Sequence, residues 1–126
     1  MIRIPVRLSL TAAVFGLAFA AAGCGSSSED VPTGAKKLSF KLTDDGCVPH
    51  SASAPAGPIL FEVENAGTSA VTEFEVLEGD SVLGEKENLA EGLSGSFSLD
   101  LEEGKYTIYC PGGSTERGAL TVGEAS

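Results

Sequence analysis

"PILFEVENAGTSAVTEFEVLEG", residues 58–79, changes polarity at every second residue in two separate runs. In "PILFEVEN" Ile59, Phe61 and Val63 share one face while Leu60, Glu62 and Glu64 share the other; in "TEFEVLEG" Phe74 and Val76 oppose Glu73 and Glu75. A period of two is the pattern of a half-buried strand, and "NAG" between the runs is turn chemistry, so the stretch predicts two strands with their apolar sides facing a common core.

The same pattern continues on both sides. "KLSFKLTD", residues 37–44, aligns Leu38, Phe40 and Leu42, and "GSFSLDL", residues 95–101, aligns Phe97, Leu99 and Leu101. An "EEGK" turn follows, then "YTIYC", residues 106–110, and "GALTV", residues 118–122. No helical period is sustained over three turns. The expected fold is all-β, a Greek-key β-sandwich of about seven to eight strands with a core of Leu, Val, Ile and Phe. "VLGEKENLAEGLSG", residues 82–95, reads as a loop rather than as a helical turn through Lys86–Ala90. The chain has no Trp, which argues against a stacking platform for sugars or single-stranded nucleic acid.

A chain of 126 residues is expected to carry one domain, and its amino end reads as a targeting segment. "MIRIPVR" is positive through Arg3 and Arg7, and the run from Leu8 to Gly23 is too short and too rich in Ala for a spanning helix. Its end, "AAGC", resembles the lipobox of bacterial lipoproteins, although Ala21 departs from the usual Leu or Val. The resemblance divides the chain into a signal peptide over 1–23, a polar tether over 24–36 beginning with a lipidated Cys24, and a domain over 37–126. Such a protein sits on the outer face of the bacterial cell membrane, held by its acyl chains. Cleavage at an ordinary secretory site nearby is the alternative.

Acidic residues outnumber basic ones 18 to 8, and removal of Arg3 and Arg7 would make the formal charge two units more negative than the −10 of the full chain. Nucleic acid is a poor partner for such a chain, and the acidic surface is read either as serving solubility or as attracting cations.

Once Cys24 is assigned to lipid, Cys47 and Cys110 remain. Outside the cytoplasm an even pair reads first as a disulfide, which would stabilise a domain of this size by about 4 kcal/mol in the chain-entropy model. The same pair, reduced, would supply two thiolates to a metal. Glu73 and Glu75 lie on one strand face about 7 Å apart, near enough to bracket a cation. Glu85 and Glu87 in "EKENLAEG" repeat that spacing and suggest a second acidic site, with Glu78 and Asp80 close in sequence. His50, three residues after Cys47 in "CVPH", is the only imidazole and ranks below Glu73 as a ligand. Solvated polar decoration is the alternative for every one of these carboxylates. There is no Ser/His/Asp set and no CxxC, so an enzyme acting alone is set aside.

"DDGCVPHSASAPAG", "ILFEVENAG" and "YTIYC" resemble segments of plastocyanin and of cupredoxins generally, across Lys37 to Val122. In that family the Asn-Ala-Gly segment leads to a strand carrying a His ligand and the Cys ligand ends a later strand. The resemblance puts Glu73 where that His belongs, Cys110 at the thiolate position, and Glu116 near the axial Met. A chain with one His cannot build a type 1 blue-copper centre, so no intense blue colour is expected. The motifs "GCVPH", "EFEVLEG", "EKENLAEG" and "YTIYC", in that order, resemble the cupredoxin-like domain of EfeO-type iron-uptake components. That resemblance implies a module handling copper or iron, serving iron uptake or metal homeostasis beside an iron permease or other metal-transport protein, with electron transfer or ferrous oxidation as its chemistry. The competing reading is a metal-free binding or structural domain stabilised by a Cys47–Cys110 disulfide.

Overall fold

The computed structural model describes residues 31–125. The expected signal peptide, Cys24 and most of the tether lie outside the described residues. Nine strands follow in chain order: β1 Lys36–Thr43, β2 Gly46–Val48, β3 Ala52–Pro55, β4 Gly57–Asn65, β5 Phe74–Glu78, β6 Ser81–Lys86, β7 Ser94–Leu101, β8 Gly104–Tyr109 and β9 Arg117–Gly123. They form a four-stranded sheet in the order β2-β1-β4-β7 and a five-stranded sheet in the order β3-β9-β8-β5-β6. The two sheets make the expected all-β sandwich.

The alternation seen in the sequence decides which side chains meet between the sheets. Phe40 and Leu42 from β1, Ile59, Phe61 and Val63 from β4, Phe74 and Val76 from β5, and Ile108 from β8 are all buried. Four phenylalanines, Phe40, Phe61, Phe74 and Phe97, run through the centre with ring centroids 4.8 to 6.4 Å apart. Offset and tilted contacts of this kind add about 0.5–1.5 kcal/mol per pair beyond the area they bury.

The segment expected to be a loop, residues 82–95, begins as a strand instead. β6 pairs antiparallel with β5, with Phe74 opposite Lys86 and Glu75 opposite Glu85, and the register shifts between Val76 and Leu77. Sequence periodicity fails here for two reasons. The bulge breaks the alternation, leaving Val82 and Leu83 both exposed, and Gly84 presents no side chain where the strand approaches the core. A Cβ at Gly84 would lie 2.7 Å from Phe97 Cε2, so the strand comes this close only with glycine.

Strand directions give the sandwich two unlike ends. β1 enters and β9 leaves at one, the terminal pole. The other, the loop pole, gathers the turn after β1, the β4–β5 connection, the segment after β6, and the β8–β9 connection. At the loop pole Ser114 N and Thr115 N donate to the carbonyls of Asp44 and Asp45 at 3.2 and 2.8 Å, tying two of these loops together.

Candidate metal site

The site is built where β5 begins and β6 ends, on the outer face of the five-stranded sheet. Because Phe74 and Val76 turn inward, Glu73 and Glu75 turn outward. The β5–β6 register then puts Glu85 directly opposite Glu75. The ladder ends at Phe74 and Lys86, but the chains stay together one step further because Leu89 N donates to Thr72 O at 3.0 Å. Glu73 and Glu87 are thereby held beside one another. Carboxylate oxygens of Glu73, Glu85 and Glu87 lie within 4.8 Å of one another. The two acidic pairs expected as separate sites form one cluster.

Burial and the crowding of like charges both act on Glu75. Partial burial, then a hydrogen bond with Glu73, then the charges of Glu73, Glu85 and Glu87 push its pKa from 4.5 up to about 7. A carboxylate that resists ionisation beside three others marks a place where a cation lowers the energy of the whole group. Oxygen donors alone suit hard cations such as ferric iron better than copper(I).

The cysteines stand elsewhere. Cys47 and Cys110 are joined in a disulfide with Cα atoms 5.9 Å apart across 63 residues of sequence. Both are buried in the hydrophobic core, Cys110 alternating inward with Ile108 while Tyr109 between them turns out. The disulfide and the carboxylates thus occupy opposite faces of one sheet. Glu116 is engaged within the β8–β9 connection, where its Oε1 accepts from Gly112 N at 3.2 Å and its carbonyl accepts from Cys110 N at 2.8 Å. His50 is exposed, and the chain packs its carbonyl against Gly118, where a Cβ would collide with that oxygen. Among the described residues neither joins the carboxylate group. Glu78 ends β5 and Asp80 lies in the β5–β6 turn, both at the terminal pole.

Two features of the site carry no residue-type signal for a metal and escape a sequence reading. Tyr109 is the cross-strand partner of Glu75 on β8, and Arg117 of β9 lies over its ring at 4.5 Å from the centroid. Asn65, buried at the end of β4, hydrogen-bonds into both segments that bear the cluster.

The family model described as a cupredoxin-like domain matches residues 10–122. The chain belongs to the cupredoxin-like family. Two curated relatives of this chain are each an iron uptake system component EfeO. That of Yersinia pseudotuberculosis is 33% identical over 117 residues, covering 92% of this chain and 29% of the relative. That of Escherichia coli K12 is 34% identical over 116 residues, covering 91% and 28%. The chain therefore spans less than a third of these relatives' length. Among solved structures, auracyanin B superposes with a TM-score of 0.62 at 18% identity, covering 72% of this chain and 91% of that one. A likeness at that identity speaks to the fold alone.

Proposed function

We propose that this cupredoxin-like domain captures a hard metal cation, ferric iron foremost, on the outer face of its five-stranded sheet, as a lipid-anchored extracytoplasmic module of iron uptake. The observation that carries the reading is the convergence of Glu73, Glu85 and Glu87, with Glu75 hydrogen-bonded to Glu73 beside them. Three carboxylates offer a trivalent ion oxygen ligands and the charge to neutralise it, and no other such group of three occurs among the described residues. The similarity to iron uptake system components, over most of this chain, supports iron as the cargo. Copper(II) is the competing occupant, whereas copper(I) and zinc lose their favoured thiolates to the disulfide. Anchoring through Cys24 keeps the cargo at the membrane, within reach of a metal-transport protein.

The test is a competition titration of the purified chain with ferric citrate, copper(II) and zinc, beside a Glu73→Gln, Glu87→Gln double variant. Ferric binding in the wild type that drops about tenfold or more in the double variant supports the site. Equal affinity in the two proteins removes it. A second reading rests on the buried disulfide, namely a metal-free domain in which Cys47 and Cys110 are purely structural. It predicts that no metal changes the melting temperature at neutral pH.

A further inference from the structure

β5–β6 pairing stops at Phe74 and Lys86, one residue short of the Glu73–Glu87 pair. What sets the distance between those two carboxylates must therefore lie outside the ladder. Asn88, the only non-glycine among the described residues with positive φ, at 56°, turns the chain sharply away just after Glu87. On the other side, residues 66–72 cross the loop pole as a connection without strand partners. Apart from the single bond from Leu89 N to Thr72 O, the two segments that carry the outermost carboxylates have no ladder partner.

One side chain holds both. Asn65 Nδ2 donates to Leu89 O at 2.7 Å, two residues beyond Glu87, and to Thr68 O at 2.8 Å, with a longer contact to Val71 O at 3.4 Å, two residues before Glu73. Its Oδ1 accepts from Gly67 N and Thr68 N, each at 2.9 Å. The backbone of Asn65 joins in, its N–H donating to Leu93 O at 2.9 Å and its carbonyl accepting from Gly92 N at 3.0 Å. The residue is 1% exposed, and its position at the end of β4 is fixed by the sheet, where Leu42 stands opposite it.

We infer that Asn65 is a positioning residue for the carboxylate cluster: it fastens the segment before Glu73 and the segment after Glu87 to one rigid strand end, and so sets the opening into which a cation fits. The inference rests on the carboxylate cluster being the metal site. An amide does what no other side chain of this size can, since it offers donors to one set of carbonyls and an acceptor to amides of the same loop. Thr68 extends the hold by donating its hydroxyl to Asp44 at 2.6 Å. Positioning groups of this kind typically change metal affinity by about 10–100-fold when removed.

The experiment measures ferric affinity by citrate competition, and thermal unfolding, for the full-length chain and three variants. Asn65→Ala removes every side-chain bond, Asn65→Asp keeps the acceptor and removes the donors, and Ile59→Val loosens the core away from the site. Ferric affinity is expected to fall about tenfold or more in both Asn65 variants, measured well below their melting temperatures, and to stay unchanged in Ile59→Val. A second readout needs no metal: the backbone amide NMR shifts of Glu73 and Glu87 should move in both Asn65 variants, because the segments that Asn65 fastens on either side of them are released, while that of Glu85, on the ladder, stays in place. If Asn65→Ala does not fold, Asn65→Asp decides alone. A folded Asn65 variant with wild-type affinity and unchanged Glu73 and Glu87 amide shifts overturns the inference while leaving the metal site standing. Absence of ferric binding in the wild type would instead remove the site itself, and this inference with it.

Discussion

Glu75 on β5 faces Glu85 on β6 as a direct cross-strand pair. Like charges placed opposite each other in a ladder destabilise it, and here Glu73 and Glu87 add two more at the next position. Burial of Glu75 first, and then its hydrogen bond to Glu73 and these charges, keep a proton on it at pH values where an unfolded chain has released it.

That retention fixes the sign of a pH effect. Between about 4.5 and 7 the folded state binds more protons at Glu75 than the unfolded state, so this group's favourable contribution is whole below 4.5 and lost as pH rises through 7. Glu75→Gln imitates the protonated form. The variant should melt at a higher temperature than wild type at pH 8, with the difference shrinking to little at pH 4. Melting curves at several pH values check this, and a difference independent of pH would show that charge crowding is not its origin.

A cation at the cluster should act in the opposite sense. Ferric iron or copper(II) held by Glu73, Glu85 and Glu87 should favour loss of the neighbouring Glu75 proton, so metal-induced stabilisation should be strong near pH 7.5 and fade as pH falls through about 7 toward 5.5. Titration calorimetry in two buffers of different ionisation enthalpy would count the released proton. Stabilisation that persists undiminished at pH 5.5 would place the metal elsewhere.

The disulfide and the cluster should be separable. Cys47→Ser, Cys110→Ser costs about 4 kcal/mol in denaturant unfolding, since the bond closes a loop of 63 residues. Ferric affinity of the folded fraction should nevertheless match wild type, because the two sulfurs lie on the core side of the sheet. Loss of ferric binding in that variant, at concentrations where it is folded, would make the thiols ligands after all.

Gly84 tests the placement of β6. An alanine there meets Phe97 at 2.7 and 2.9 Å and Leu99 at 3.0 Å, so the strand must lift from the core. Gly84→Ala should cost about 1–3 kcal/mol and weaken metal binding together, because Glu85 rides on the same strand. A variant as stable as wild type would show that β6 has more room than its packing allows.

Cys24→Ser should shift the chain from the detergent phase to the aqueous phase in a partition assay. Retention in the detergent phase would mean that something other than acyl chains at Cys24 holds it.

The fold was legible because its signal is local. Alternation in β1, β4, β5 and β7 puts Phe40, Phe61, Phe74 and Phe97 inward without reference to any partner strand. The site was legible in its residues but not in its grouping. Glu73 with Glu75, and Glu85 with Glu87, follow from spacing along the chain, but their union depends on a register across the sheet that includes a bulge. β6 itself was hidden, because its inner positions are filled by a glycine and by Lys86, whose stem packs over Gly95, rather than by apolar side chains. Cys110 was open to two readings, half-cystine or ligand, for a related reason: its neighbour Tyr109 turns outward beside Glu75, and one residue of sequence separates opposite sides of a sheet.

Because β1 enters and β9 leaves at the terminal pole, whatever is joined to the domain before β1 or after β9 attaches at the end away from Glu73 and Glu87. The arrangement is that of a plug with both leads at its base: an acyl anchor, a spacer or a second domain can be spliced to either lead, or to both, and the carboxylate rim still faces open solution.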